Sequence, residues 1–89
     1  MYSVHATVKN KIGLHARPAT KVAKKAASFA SDVWLRKSDS DNQSNAKSIT
    51  AILRLGAVEG TDLTITAYGP DEEQACRELK VLIEKGLDD

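Results

Sequence analysis

A histidine and an arginine stand two positions apart in the stretch Gly13–Ala19, directly before an alanine-rich run with helical periodicity. The imidazole of His15 is a nucleophile with an unperturbed pKa of about 6.5, so a neutral ring that can attack phosphorus is available near neutral pH. The guanidinium of Arg17 can bind a phosphate through two parallel hydrogen bonds. These residue types at this spacing indicate a side chain that accepts a phosphoryl group and a cation that neutralises it.

The element that must position both side chains is a helix, which we expect over Ala16–Ala27. The first turn of a helix presents unpaired backbone N–H groups and the positive end of the helix dipole, so it attracts anions. Pro18 suits a first turn, but the residue before a proline is biased away from helical backbone. Two starts are therefore open: Pro18 with Arg17 as the cap, or Ala16 with His15 as the cap. We favour the second, because it places the imidazole over the free amides.

Hydrophobic periodicity predicts seven elements in the order β-α-β-β-α-β-α. We expect strands over Tyr2–Val8, Asp32–Lys37, the end of the polar segment Ser38–Asn45, and Thr61–Tyr68. We expect helices over Ala16–Ala27 and Ser48–Leu55, and a last helix that the turn Gly69–Asp71 caps and Gly86 ends. Because three helices with one apolar side accompany strands with one polar side, the fold class is α+β, a two-layer open-faced sandwich with a four-stranded sheet.

The composition indicates one domain over residues 1–89. A hydrophobic fraction of 42% supports a packed core, and a net charge of +1 argues against binding to nucleic acid or anionic membranes. We see no apolar run of about 20 residues, no signal peptide, no zinc spacing and no phosphate-binding glycine loop. The single Cys76 cannot form an internal disulfide. We therefore expect a cytoplasmic monomer without metal or other cofactor.

Several side chains outside the histidine stretch have simpler structural interpretations. We expect His5 on the polar, solvent side of its strand, where the pattern suggests no hydroxyl or acidic partner, Trp34 on the open face of the sheet, and Cys76 buried as a small hydrophobe. We expect residues 88–89 to form a solvated tail. The lysines Lys21, Lys24 and Lys25 lie away from the apolar stripe of their helix and form either a solvated face or a basic rim for acidic partners.

The stretch Gly13–Ala19 resembles the active-site motif of the HPr family, the histidine-containing phosphocarriers of the bacterial phosphotransferase system. Ala46–Gly56 resembles the second motif of that family, around a serine that begins a short helix, and Gly60–Ile65 resembles the strand that follows. The resemblance covers essentially the whole chain and implies antiparallel strands. It implies a carrier for sugar transport rather than a complete enzyme: enzyme I, charged from phosphoenolpyruvate, phosphorylates His15, and an EIIA-type protein receives the phosphoryl group.

The resemblance also implies roles for other residues. Arg17 would clamp the phosphate together with the backbone amides of Ala16 and Arg17. Ser48 matches a serine that a dedicated kinase phosphorylates in many members, although Ala46 and Thr50 depart from the usual neighbours and put kinase recognition in doubt. Five residues are expected to contact partner proteins: Leu14, Thr20, Ile49, Ile52 and Leu53.

Three alternatives to this hypothesis differ in class. A nitrogen-branch (NPr-type) carrier is favoured by the long polar loop, the turn at Gly69–Glu73 and the segment Lys85–Asp89. Lys47–Ile49 and Leu55–Gly56 resemble the sugar branch instead, and we lean slightly to a general HPr-type carrier. A regulatory module acting through Ser48, with a kinase or regulator as partner, would not need His15. A hydrolase with a histidine base would need a nucleophile and an orienting carboxylate, which the motif lacks.

Overall fold

This computed structural model describes residues 1–87, which contain four strands and three helices. The strands are β1 (Tyr2–Thr7), β2 (Asp32–Lys37), β3 (Ser44–Asn45) and β4 (Asp62–Tyr68). The helices are α1 (Ala16–Ala27), α2 (Ile49–Leu55) and α3 (Glu72–Lys85). The predicted order β-α-β-β-α-β-α is confirmed, and the tail predicted at residues 88–89 lies outside the described residues. None of these three helices is both long and apolar enough to cross a membrane.

The four strands form one antiparallel sheet in the order β1-β4-β2-β3. The central strand β4 pairs with β1 on one side and β2 on the other, which places Val4 and Leu35 opposite Ile65. The first pairing continues one residue beyond the strand ends, where the N–H of Val8 donates to the carbonyl of Thr61 at 2.9 Å. The predicted open-faced α+β sandwich is therefore confirmed.

The core lies between one face of this sheet and the three helices. The strands contribute alternate aliphatic side chains, of which Val33, Leu35 and Ile65 are at most 1% exposed. Helix α1 contributes a stripe of small residues, Ala19, Val22, Ala23 and Ala26. Because these side chains are small, α1 can lie close to its neighbours, and this packing fixes the position of its N-terminus.

The opposite face of the sheet carries polar side chains and Trp34, which is half-buried as expected for a tryptophan on an open face. Thr64 and Thr66 also lie on this face and are nearly buried by their neighbours. The Nδ1 atom of His5 is 3.3 Å from the hydroxyl oxygen of Thr64. The solvent-side position predicted for His5 is confirmed. Its hydroxyl partner, which the sequence pattern did not suggest, comes from β4, 59 residues further along the chain.

Helix α3 begins after Asp71, but the carboxylate of this residue does not cap the helix. It accepts hydrogen bonds from the N–H groups of Ala30 and Ser31, both at 2.9 Å, and from the hydroxyl of Ser31. The predicted cap at the turn Gly69–Asp71 is confirmed in position, because Asp71 is the N-cap residue, but its carboxylate ties α3 to the turn between α1 and β2. The burial predicted for Cys76 is confirmed, and burial raises the pKa of this thiol to about 11.

Candidate functional site

His15 is the N-cap residue of α1, with extended backbone angles of φ −81° and ψ −173°. Its carbonyl accepts the N–H of Ala19 at 2.8 Å, which is the first hydrogen bond of the helix. The predicted helix start at Ala16 is therefore confirmed, and the alternative start at Pro18 is excluded. The imidazole is exposed and makes no capping hydrogen bond, so an incoming group can reach it without displacing a protein contact.

Two backbone N–H groups remain unpaired in the first turn of α1. A helix begins with about four N–H groups that have no intrahelical acceptor. Here these four positions are His15, Ala16, Arg17 and Pro18, and Pro18 has no N–H, so within the first turn the amides of Ala16 and Arg17 remain. Neither has a hydrogen-bond acceptor among residues 1–87. Both follow His15 directly, so the free donors of the helix lie beside the exposed ring.

Positive charge is concentrated at this helix end. The first turn of α1 contains no acidic residue, and Arg17 is exposed and forms no ion pair within the described part of the chain. The dipole of α1 adds positive potential at the same place. Of the three lysines considered for a basic rim, Lys21 and Lys24 are exposed, whereas Lys25 pairs with Glu78 at 2.7 Å. An anion bound at His15 would therefore meet Arg17 and no acidic residue from the first turn of α1.

The loop before His15 rests against the connection between α2 and β4. Gly13 has a φ of +74°, and a Cβ atom on it would lie 2.5 Å from the carbonyl oxygen of Ala57, so only glycine fits there. The N–H of Leu14 donates to the same carbonyl at 3.0 Å. Sequence reasoning assigned turn chemistry to Gly13 and missed Ala57, because no local pattern shows that the two segments touch.

The second motif places Ser48 at the N-cap of α2, where its Oγ accepts the N–H of Ala51 at 3.2 Å. The predicted capping role is confirmed, and the helix itself begins one residue later than predicted. The side chain of Lys47 donates to the carbonyl of Phe29 at 3.0 Å, which ties this end of α2 to the segment that follows α1. Regulatory phosphorylation of Ser48 stays a prediction.

Comparison with known proteins decides the family. The model for the family described as "PTS HPr component phosphorylation site" matches residues 2–85. The chain belongs to the HPr family. Phosphocarrier protein HPr of Neisseria meningitidis is 43% identical over 74 residues, which cover 83% of this chain and 81% of the relative. Phosphocarrier protein NPr of Escherichia coli is 35% identical over 82 residues, which cover 92% and 90%.

Solved structures of HPr proteins also share this fold. The crystal structure of HPr-C-His from Thermoanaerobacter tengcongensis superimposes with a TM-score of 0.87 at 42% sequence identity. The superposition covers 93% of this chain and 91% of that one. The fold and the sequence therefore agree on the same family.

The partner-contact residues expected from the HPr resemblance fall into two groups. Ile49 and Leu53 are 41% and 43% exposed and can contact a protein, and Thr20 is partly exposed with its hydroxyl bonded to the carbonyl of Ala16. Leu14 and Ile52 are 4% and 0% exposed, so the prediction that they contact partners directly is wrong. Both pack in the core. Helical spacing puts Ile52 on one side of α2 with Ile49 and Leu53 but does not show which of the three lies at its centre, and Leu14 belongs to the loop before α1.

Sequence reasoning also missed two exposed aliphatic side chains beside the histidine loop. Ile12 and Val58 are 53% and 62% exposed and adjoin the contact between Gly13 and Ala57 from opposite segments. An aliphatic residue inside a predicted turn is the sequence feature that could have indicated them.

Within residues 1–87 no group of three or more histidine, cysteine, aspartate or glutamate side chains could hold a metal ion.

Proposed function

We propose that this HPr-family phosphocarrier of the phosphotransferase system accepts a phosphoryl group on His15 from enzyme I and passes it to a histidine of an EIIA-type protein. The observation that carries this proposal is the exposed, hydrogen-bond-free imidazole at the N-cap of α1, beside two unpaired amides and Arg17. Relatives of both the HPr and the NPr type are phosphocarriers by name. A carrier is regenerated after each transfer, so the chain is an intermediate in phosphotransfer rather than a turnover enzyme.

The transfer step needs only the imidazole and its immediate surroundings. The lone pair of a neutral ring nitrogen, which we expect to be Nδ1, attacks the phosphorus of the phosphohistidine on enzyme I. A new N–P bond forms as the N–P bond on the donor breaks, and the donor imidazole leaves with that electron pair. The reverse sequence on an EIIA-type protein regenerates neutral His15. Neither metal nor nucleotide takes part on this chain.

The start of α1 stabilises the transferred group. The phosphoryl oxygens carry the negative charge, and the amides of Ala16 and Arg17 are placed to donate to them with the favourable orientation of a helix N-terminus. The guanidinium of Arg17 can add two parallel hydrogen bonds. These groups are present before the phosphoryl group arrives, so little reorganisation accompanies transfer.

The surroundings of His15 suit a brief contact with another protein. Exposed aliphatic side chains lie on α2 at Ile49 and Leu53 and beside the loop at Ile12 and Val58. Exposed lysines on α1 add positive charge that attracts acidic partners and raises association rates. Because a carrier must dissociate after each transfer, we expect a small interface, below about 1,200 Å² in total. We place the reaction in the cytoplasm, with a monomeric carrier.

The proposal is tested by phosphorus NMR after incubation with enzyme I and phosphoenolpyruvate. We expect one acid-labile phosphoramidate signal, which a His15→Ala variant does not give. A phosphate ester on Ser48, or no phosphate at all, would refute the carrier and support the alternative module that acts through Ser48. The same spectrum reports which ring nitrogen is modified.

The branch of the system is a second, separable question. Identity to both HPr and NPr relatives leaves the nitrogen-branch carrier as the alternative to the general HPr-type carrier that we favour. Phosphorylated protein is offered to a sugar-type and a nitrogen-type EIIA in parallel, and the rates of transfer are compared. Faster transfer to the nitrogen-type acceptor would reverse our preference.

A further inference from the structure

The peptide unit that joins Gly13 to Leu14 is held at both of its polar ends. Its carbonyl oxygen accepts a hydrogen bond from Nδ2 of Asn10 at 2.8 Å, and its N–H donates to the carbonyl of Ala57 at 3.0 Å. The N–H of Gly13 also donates to the carbonyl of Asn10 at 3.2 Å, which closes the turn a second time. His15 follows Leu14, so this is the last peptide unit before His15 that these hydrogen bonds hold in place.

The side chain of Asn10 is placed for one interaction. It is 8% exposed, and its Oδ1 atom has no hydrogen-bond partner among the described residues. A buried acceptor without a partner destabilises a fold. The favourable contribution of the polar group of Asn10 therefore comes from the hydrogen bond that its Nδ2 donates. Asn10 supplies the one side-chain hydrogen bond that the described structure shows on this loop.

The direction of the imidazole depends on this backbone. The side chain of His15 makes no capping hydrogen bond, so its direction follows from its own rotamer and from the chain that leads to it. A reacting atom that is misplaced by about 1 Å can slow a positioned reaction by about a hundredfold. If the carbonyl of Gly13 were held less firmly, the imidazole of His15 would therefore be less often in position to react with a phosphoryl donor.

We propose that Asn10 is a positioning residue for phosphoryl transfer. Through the carbonyl of Gly13 it fixes the backbone that holds the imidazole of His15 beside the amides of Ala16 and Arg17. The inference rests on the proposed function, and its experiment has one readout that requires no phosphorylation. A residue that only filled space would be replaceable by an apolar side chain of similar shape.

The decisive variant is Asn10→Leu, which keeps the branching of the side chain at Cγ and removes the donor. Asn42→Leu makes the same chemical change at an exposed loop position, and Ile83→Val is a destabilised control in the core of α3. Amide hydrogen exchange of Leu14 is measured in the unphosphorylated proteins by NMR. We expect exchange about tenfold faster in Asn10→Leu alone, because the peptide unit is then held at only one end.

The second readout is the rate of transfer from phosphorylated enzyme I. We expect kcat about tenfold to a hundredfold lower in Asn10→Leu with KM within about twofold of the wild type, since the partner surface is unchanged. Unaltered Leu14 exchange, or a kcat no lower than that of Ile83→Val, would overturn the positioning role. If Asn10→Leu does not fold, Asn10→Ala removes the donor without a larger side chain and is judged by the same results.

The two proposals fail in different ways. A wild-type protein that takes no phosphoryl group on His15 refutes the proposed function, whatever the exchange rates are. A wild-type protein that is phosphorylated while Asn10→Leu transfers normally refutes only the role of Asn10.

Discussion

Helix α1 begins with an exposed histidine whose side chain makes no capping hydrogen bond, whereas α2 begins with a serine whose Oγ accepts the N–H of Ala51. Both ends carry the positive dipole of a helix. At α2 the protein supplies its own acceptor, while at α1 the amides of Ala16 and Arg17 are left for an external one. The comparison shows that an anion can bind at the start of α1, where the backbone N–H groups have no protein acceptor. At the start of α2 the side chain of Ser48 occupies that role, so its first effect is to stabilise the helix.

The start of α3 adds a third case. Its cap residue, Asp71, directs its carboxylate to Ala30 and Ser31, and negative charge in the first turn comes from Glu72 and Glu73 instead. These acidic side chains would repel a phosphate, so α3 cannot duplicate the role of α1 despite having the same dipole. The charges in the first turn therefore decide which helix start can bind a phosphate, even where the backbone geometry is the same.

The largest effect is expected for His15→Ala, which should abolish phosphorylation. Because the ring is exposed and caps nothing, the free energy of unfolding should change by no more than about 0.5 kcal/mol. Phosphorus NMR and urea unfolding followed by circular dichroism measure the two quantities. A large loss of stability would show that His15 is a structural cap, like Ser48, and would remove the contrast between α1 and α2.

The next effect concerns the cation at α1. Arg17→Lys should still permit phosphorylation but slow the onward transfer about tenfold, because an ammonium group cannot reproduce two parallel hydrogen bonds. Rapid-quench measurements of transfer to an EIIA-type acceptor provide the rate. Arg54→Lys makes the same change at an exposed position of α2 and is the matched control. Equal rates in the two variants would exclude Arg17 as the clamp.

A smaller effect, and on stability alone, is expected at α2. Ser48→Ala should lower the free energy of unfolding by about 1 kcal/mol, since it removes the acceptor for the N–H of Ala51. Ser48→Asp, which keeps an acceptor, should recover most of that loss. Both variants should accept the phosphoryl group on His15. An unchanged unfolding midpoint in Ser48→Ala would mean that the cap contributes nothing.

The smallest effect is a dependence on pH at the start of α3. Hydrogen bonds from Ser31 and Ala30 hold the pKa of Asp71 below its usual value. A carboxyl with a lowered folded pKa adds stability above its unfolded pKa of about 3.9 and loses it as the pH falls through the folded value. The melting temperature should therefore fall on acidification, and less so in Asp71→Asn. Asp39→Asn, at an exposed loop position, should keep the wild-type pH dependence.

Local patterns were sufficient for the part of the site that lies in one stretch of chain. The start of α1 follows from Gly13, Pro18 and the alanine periodicity, and the cap at Ser48 follows from a hydroxyl before an apolar run. The order of the elements and the two-layer architecture follow from the same signals. Each of these features depends on residues within about one helical turn of one another, which is the range over which sequence patterns are informative.

Features that join distant segments could not be predicted in this way. The contact of Leu14 with Ala57 and the bonds of Asp71 to Ser31 link residues about 40 positions apart, so nothing in either stretch reveals the other. The burial of Ile52 between exposed Ile49 and Leu53 depends on how α2 packs against its neighbours. Tertiary packing, rather than helical spacing, decides which apolar side chain becomes part of the core.

The most direct test of the account follows the backbone amides by ¹⁵N–¹H NMR before and after phosphorylation. The amide protons of Ala16 and Arg17 should shift strongly downfield as they donate to the phosphoryl oxygens, while the amide of Ala51 at the capped end of α2 should stay in place. Unmoved Ala16 and Arg17 amides in a phosphorylated protein would contradict the claim that α1 provides the phosphate site.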